Sequence, residues 1–387
     1  MKIIYFTTAL EKEDYESFVK NWRISLNSSI QSLHNRLIRS LALTHEVEVI
    51  SARPFSKKYC TLKKLDASNK QEGKITWHYL KIKNNKISRF ISARRQAKKI
   101  LANMNLKDSI ILTDTLNPYL LTKATALAKK YHLPIIGICN NTPSGIHDTD
   151  KAYTLKLLNN ADNLSGYIAL TNGLNELYNE RNRASLVIEG VLENKAKTSF
   201  KNDFPPYLYY DGRLDDKSGI YELIRAFNLL EDAKIHLVIS GYHANENKIQ
   251  KAIANNERIH YLGFISHDET LFRESHAELN VCPRPYSEDY DRYLIPDNII
   301  DYLATPVLLV SVKNNRLNKY FENDVIWLNS NNPEELAKGI NKGLKMSQEE
   351  KNNMIKKANI DVNKLYAMNV INRKIILFLR QFLKQKD

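Results

Sequence analysis

Apolar and polar positions along this chain fall into blocks that switch between two periods. "KIIYFTT" is a short apolar run of strand length, and "SIQSLHNRLIRSLAL" then places Leu33, Leu37 and Leu41 at helical spacing. "HEVEVISARP" alternates polar and apolar residues as a half-buried strand does. The same alternation of elements continues with the strand "SIILTD", the helix "PYLLTKATALAKKYH", the strand "LPIIGICNN", and then "YIALTNGLNELYN" and "ASLVIEG". Strands separated by helices of roughly ten to fifteen residues predict a parallel, doubly wound sheet of the α/β class.

Periodicity stops over Leu192–Pro206, "LENKAKTSFKNDFPP", a polar, charged stretch ending in Pro-Pro that reads as a linker. After it the pattern starts afresh. "YLYYDG" reads as a strand, and "GIYELIRAFNLL" as a helix with Ile220, Leu223, Ile224, Phe227 and Leu230 on one face. "KIHLVISG", "RIHYLGF", "ELNVCP", "PVLLVS" and "VIWLN" follow as strands, and "PEELAKGINKGL" as a helix. The expected architecture is two Rossmann-like doubly wound domains, 1–192 and 207–365, joined by a linker at 193–206 and facing a cleft. α/β folds bind ligands at the carboxyl ends of their strands. The tail 366–387 contains "VINRKIILFLRQFLKQ", with Ile375, Phe378, Leu379, Phe382 and Leu383 as its apolar set, and is expected to pack back on the first domain.

Composition adds limits to this picture. A chain of 387 residues with 43% hydrophobic content can build two cores. No stretch approaches eighteen apolar residues, so no membrane-spanning helix is expected. The start "MKIIYFTTALEKEDYE" turns acidic early and lacks a signal-peptide pattern, and the three scattered cysteines suit a reducing compartment without zinc spacing. A cytoplasmic location is the expectation.

The net charge of +14 is uneven. Between Lys57 and Lys99 lie fourteen Lys and Arg against Asp66 and Glu72, a local balance of +12. Within that region "RFISARRQAKKILANM" puts Phe90, Ala93, Ala97, Ile100, Leu101 and Met104 on one helical face, with Arg94, Arg95, Lys98 and Lys99 largely off it. Such a helix is either a solvated surface element on the core or a patch that meets anionic lipid. Nucleic acid is set aside as a partner, because no recognised binding module or RNP-like aromatic motif accompanies the charge.

Against this basic background, "PRPYSEDYDRYLIPDNIIDYLA" crowds five carboxylates (Glu288, Asp289, Asp291, Asp297 and Asp301) between Pro283 and Ala304. It closes an ordered series: "YYDGRLDDKSGIYELIRAF", "IHLVISGY", "IHYLGFISHDETLF", "AELNVCPRP" and "PDNIIDYLATPVLLVS". That succession resembles the donor-binding domain of GT-B glycosyltransferases of the retaining family 4 type. "SLHNRLIRSLALTHEVEVIS" and "YIALTNGLNELY" are similar to acceptor domains of bacterial polysaccharide enzymes in the same group.

The resemblance implies a nucleotide-diphosphate sugar as co-substrate, UDP being the expected nucleotide, and no metal or resident cofactor. It implies transfer with retention to a glycan or lipid-linked acceptor at the inner face of the cell membrane. A leaving diphosphate needs fixed cations and a helix start. Arg213 falls on the family's Arg. Ser218 takes the place of the family's Lys, with Lys217 one residue early, and both basic residues are catalytic candidates.

Gly212, Gly241, Ile265, Arg284, Asn298 and Asp301 complete the implied donor set. Asp301 falls where the family holds the ribose, because a carboxylate accepts two vicinal hydroxyls. Glu288, Asp289 and Tyr293 are sugar-contact candidates, Tyr293 standing where the family has its first acid. The family's sugar-contacting His falls at Asn140 or Asn141 here, so His147 is the remaining candidate for that role. Its loop glycines are replaced near Asn27, Ser28 and Ser29. These departures keep two alternatives in view: an inactive GT-B-shaped binding subunit, and a nucleotide-sugar epimerase. The triplets Asp148–Asp150 and Asp289–Asp291 are too short to count as metal motifs.

Overall fold

A computed structural model describes residues 1–22, 28–54, 63–83, 95–143, 151–193, 200–242 and 246–383. The chain divides into two compact units. The first contains Met1–Val191, Arg292–Ile295 and Met368–Asp387; the second contains Leu192–Asp291 and Pro296–Ala367.

The first unit is built on the strands β1 (Lys2–Thr7), β2 (Glu46–Ser51), β3 (Lys64–Leu65), β4 (Ser68–Glu72), β5 (Ile75–Tyr79), β6 (Ile82–Lys83), β7 (Ser109–Asp114), β8 (Ile135–Cys139), β9 (Gly166–Ala169) and β10 (Ser185–Val187). Eight of them form one sheet in the order β10-β9-β8-β7-β1-β2-β5-β4, and β3 pairs with β6. Every pairing in the large sheet is parallel except β4 with β5. Side chains of a strand alternate between faces. Ile3 and Tyr5 therefore enter one core, with the helix Ser28–Ala42 and the tail, while Ile4 and Phe6 enter the other, with the helix Pro118–Tyr131. Burial on both faces explains why these strands read as apolar runs.

Two features were hidden by the charge of the 57–99 region. β4 and β5 form a hairpin around Gly73, whose φ of +56° suits a tight turn. β5 is a core strand, with Ile75, Trp77 and Tyr79 buried, whereas β4 is a polar edge strand of the kind that discourages sheet-to-sheet association. The basic helix is described from residue 95 onward. It buries Ala97 and Leu101 in the core, with Arg95, Lys98 and Lys99 exposed. The described part of its apolar face is thus turned to the protein's own interior. Arg94 lies outside the described residues.

The tail forms the helix Met368–Arg380, and Ile371, Ile375, Phe378 and Leu379 pack into the first unit's core. Its polar seam is specific: Ser40 Oγ donates to the Met368 carbonyl at 2.8 Å, and Asn372 Nδ2 donates to the Ser40 carbonyl at 2.6 Å.

The second unit has the strands β11 (Tyr207–Arg213), β12 (His236–Tyr242), β13 (Ile259–Tyr261), β14 (Leu279–Cys282), β15 (Leu308–Val312) and β16 (Ile326–Leu328), in the wholly parallel order β13-β12-β11-β14-β15-β16. The helix Ile220–Asn228 buries Ile220, Leu223, Ile224 and Phe227 against it. Leu192 already belongs to this unit through a bridge to Ala367, and residues 194–199 of the linker stretch lie outside the described residues. A helix absent from the periodicity reading, Gln348–Tyr366, starts at a capping box in which Ser347 and Glu350 exchange hydrogen bonds. "SQEE" carried that signal.

Candidate functional site

The carboxyl ends of β11, β12 and β14 converge in the second unit, and glycine is what lets them. Gly212 and Gly241 are paired across β11 and β12. Gly241 has φ +128°, and a Cβ there would lie 1.9 Å from the Gly212 carbonyl oxygen. Gly219 has φ +78°, and a Cβ there would lie 2.1 Å from the carbonyl oxygen of Pro283, which follows β14. Only a residue without a side chain lets the backbones meet so closely at this edge.

Between β11 and the helix Ile220–Asn228 the chain makes a tight 3-10 turn, Asp216–Ser218. Asp215 caps it. Its carboxylate accepts from the Lys217 amide at 3.1 Å, and the Ser218 hydroxyl closes a capping box. Ser218 is 2% exposed, so the residue in the family's Lys position is a buried structural hydroxyl. Lys217 and Arg213 are both exposed, and Arg213 pairs with Asp215. The helix beyond Gly219 has no side-chain cap among the described residues. Helix starts of this kind favour anions.

Further residues converge here. Asn298 Nδ2 donates to the Asp211 carbonyl at 3.2 Å, which sets the helix Asp297–Leu303 beside β11. Tyr302, one turn on, accepts from the Asp211 amide at 2.8 Å. Asp301 is half-exposed between them along that helix. Arg284 leaves the end of β14 with its guanidinium 5.1 Å from the Tyr290 ring centroid. Burial pushes the Tyr210 hydroxyl far above the ordinary phenol range, and the positive charge of Arg284 works against that shift. Tyr210 Oη in turn donates to the Arg213 carbonyl at 2.7 Å, so the strand end is fixed from below. Ile265 follows Gly263, whose carbonyl accepts from the Gly241 amide at 2.9 Å.

Sequence reasoning missed Asp211, whose Oδ1 accepts from the Ser240 hydroxyl, itself bonded to Tyr209 Oη at 2.6 Å. A carboxylate directly before Gly212-Arg213 was the available signal.

Glu288–Tyr293 is a short helix, with Glu288 exposed. Asp291 is half-buried and holds the start of a neighbouring helix. Its carboxylate accepts from Asn314 Nδ2 at 2.8 Å and from the Asn315 amide at 2.9 Å, at the start of the helix Asn315–Phe321. Half-burial raises its pKa, against the lowering effect of those donors and of Arg316. Tyr293 groups with the first unit, where it is half-buried against an apolar cluster. The side chains of Asp289 and Asp297, and all of His147, lie outside the described residues.

In the first unit the position after β8 is Asn140, 4% exposed, and Asn141 follows with its carbonyl accepting from Tyr178 Oη at 2.9 Å.

Residues 192–361 match the family model described as glycosyl transferases group 1, which takes in the whole convergent edge. The fold is that of the GT-B glycosyltransferases. Among solved structures, sucrose-phosphate synthase from Thermosynechococcus elongatus aligns over 100% of both chains at 13% identity and TM-score 0.71. HepE of Anabaena, in complex with UDP, covers 98% of this chain and 100% of its own at 12% identity and TM-score 0.66. A structure from E. coli described as trehalose-6-phosphate bound with UDP-2-fluoro glucose covers 99% of both chains at 11% identity and TM-score 0.68. No curated protein matches the sequence. In the group 1 domain the matched segment therefore includes Gly212, Arg213, Gly219, Gly241, Arg284, Asn298 and Asp301. Among the described residues no helix is long and apolar enough to cross a membrane.

Proposed function

We propose that the protein transfers a glycosyl group, with retention, from a UDP-sugar to a glycan or lipid-linked sugar acceptor, without a metal. The observation that carries this reading is the glycine-closed edge of the second unit, where exposed Arg213 stands beside an uncapped helix start inside the glycosyltransferase-matched segment. As the bond to the sugar breaks, charge grows on the departing diphosphate. Arg213, Lys217 and the helix amides offer donors at the place where that charge develops. The Arg213–Asp215 pair is an exposed one, worth about 0–1 kcal/mol, so a diphosphate displaces Asp215 at little cost. Asp301 would accept the ribose hydroxyls. The UDP of HepE and the UDP-sugar of the E. coli structure support the choice of nucleotide.

One observation favours a second reading, an inactive binding subunit: the buried capping role of Ser218 where a cation is expected. A thermal-shift panel of UDP, GDP, ADP, CMP and dTDP separates the two. The transferase reading expects UDP alone to raise the midpoint, with a shift that grows with concentration; a ligand at a hundred times its dissociation constant stabilises by about 2.7 kcal/mol. A flat panel at millimolar concentration overturns it.

The proposal extends to location, at an anionic membrane surface. Because Ala97 and Leu101 are committed to the core, attraction there would be electrostatic, through Arg95, Lys98 and Lys99, about 1 kcal/mol for each basic residue near the surface. The triple substitution to Gln should weaken co-sedimentation with phosphatidylserine vesicles at low salt and leave the melting midpoint unchanged. Undiminished co-sedimentation sinks the location.

A further inference from the structure

The helix Asp297–Leu303 is short and weakly started, yet it carries Asp301. It has seven residues, follows Pro296, and has no side-chain cap among the described residues. A helix of that length does not hold its shape alone. Ile299, Ile300 and Leu303 are buried, which seats the helix on the core. Apolar burial has no direction, so it does not fix how far the helix slides or rolls.

Two polar side chains do fix it. The ladder between β11 and β14 ends at Tyr209, while the ladder between β11 and β12 runs on to Arg213. Asp211 therefore has a strand neighbour on one side only, and two helix side chains bond its backbone. Tyr302 Oη accepts from its amide at 2.8 Å and lies 3.5 Å from its carbonyl oxygen. Asn298 Nδ2 donates to that carbonyl at 3.2 Å, and the other end of the Asn298 amide, Oδ1, faces Cys282 Sγ at 3.9 Å. A thiol donates to an oxygen, so both ends of the amide have partners of the right kind. Tyr302 is 0% exposed, so its bonds form away from water. The point that the helix grips is itself anchored, because the Asp211 carboxylate is tied to Ser240 on β12 and through it to Tyr209 Oη.

Spacing gives this clamp its consequence. Residues four apart lie one above the other on a helix, so Asn298 and Tyr302 form one edge against β11. Asp301, one residue before Tyr302, stands about 100° round the axis from it. On the strand, Arg213 comes two residues after Asp211. One backbone position thus bears Arg213 along its own strand and Asp301 through its clamp.

We propose that Asn298 and Tyr302 are positioning residues that hold Asp301 at a set distance from Arg213, so that the site matches a ribose to its diphosphate and selects ribonucleotides. The inference rests on the donor-site reading, in which Asp301 accepts the ribose hydroxyls and Arg213 meets the diphosphate. Tyr302 is fully buried and acts on the nucleotide only through Asp301.

Titration calorimetry with UDP and with 2′,3′-dideoxy-UDP, which lacks both ribose hydroxyls, tests it. Tyr302→Phe keeps the buried ring and removes only the hydroxyl, and Asn298→Ala removes the other prong. The wild type should prefer UDP, and Asp301→Ala should abolish the preference. Each clamp variant should shrink it by about threefold or more. Dideoxy-UDP should bind all four proteins alike, because it makes no use of Asp301. Adding Tyr302→Phe to Asp301→Ala should cost nothing further, since residues acting through one contact are not additive. Clamp variants that keep the full preference overturn the proposal and leave the donor-site reading standing. An equal loss for both ligands also overturns it, as the mark of a role in stability alone. Hydrogen exchange reads the clamp without a ligand: Tyr302→Phe should speed exchange at the end of β11 more than in the rest of that strand. Unchanged exchange there overturns the clamp. A wild type that binds UDP without preferring it overturns the ribose contact and the proposal with it. A wild type that binds neither nucleotide fails the donor-site reading and takes the proposal with it, while the exchange result still reports on the clamp.

Discussion

Arg213→Ala is expected to raise the dissociation constant for UDP by about ten- to a hundredfold and to leave the fold intact. A hydrogen bond from a guanidinium to an ionised oxygen contributes about 1.5–3 kcal/mol, and every 1.4 kcal/mol is tenfold in affinity. The side chain is 57% exposed and its ion pair with Asp215 spans the surface of the loop, so its removal takes little from stability. The Arg213 backbone is held separately, by the Tyr210 hydroxyl, and does not depend on the guanidinium. Arg213→Lys should fall between the two, because an ammonium offers a point charge without the planar fork. The control is Arg225→Ala, on the helix that begins at this site. It is also exposed and paired, with Glu222, and should change neither affinity nor midpoint. Isothermal titration at two salt concentrations would decide it. If Arg213→Ala binds UDP as tightly as the wild type, the diphosphate lies elsewhere and the donor-site reading falls.

Much of the frame was legible in the sequence because its signals are local. β1, β7, β8 and β11 are short apolar runs bounded by polar turns, and the helix Ile220–Asn228 carries its apolar face at the expected spacing. Arg213 is the last residue of β11, at the turn that the pattern placed between a strand and a helix. The parts that stayed hidden depend on partners distant in the chain. Nothing near Asp291 shows that it holds Asn314 and Asn315 more than twenty residues later. Similarly, His34, Tyr5, Asp114 and Asn140 meet only because three parallel strands end side by side under one helix. The β4–β5 hairpin was masked in another way: the basic residues of 57–99 dominate the composition there, and the alternation of Ile75, Trp77 and Tyr79 spans only five residues.

Ser218 stands where the sequence resemblance implies a Lys, and its chemistry is a different one. A hydroxyl there satisfies the backbone of Asp215 and so tightens the turn that carries Lys217 outwards. The displaced cation and the buried Ser thus form a single local solution, in which the turn supplies rigidity and its neighbour supplies charge.

Gly241→Ala is expected to be the most damaging small substitution in the second unit. Two costs act together. At φ +128° a residue with a Cβ is strained, by about 1–3 kcal/mol. The new methyl also lands on backbone: besides the Gly212 carbonyl oxygen, it meets the Gly212 carbonyl carbon at 3.0 Å and nitrogen at 3.2 Å. No side chain can swing aside, so β11 and β12 must part, and such overpacking adds about 1–3 kcal/mol. In a unit of this size each kcal/mol moves the midpoint by about 2–4 °C, so its unfolding transition should fall by roughly ten degrees. Gly263→Ala isolates the first cost. It has φ +68° but nothing within 4 Å of an added Cβ, so it should pay only for backbone strain. Equal losses in the two variants would mean that the strands do not approach as closely as described. A larger loss at Gly241, accompanied by weaker UDP binding at a temperature where the variant is still folded, would show that the close approach of β11 to β12 also aims Arg213. The same pair of glycines would then set both the stability of the edge and the direction of the charge that works there.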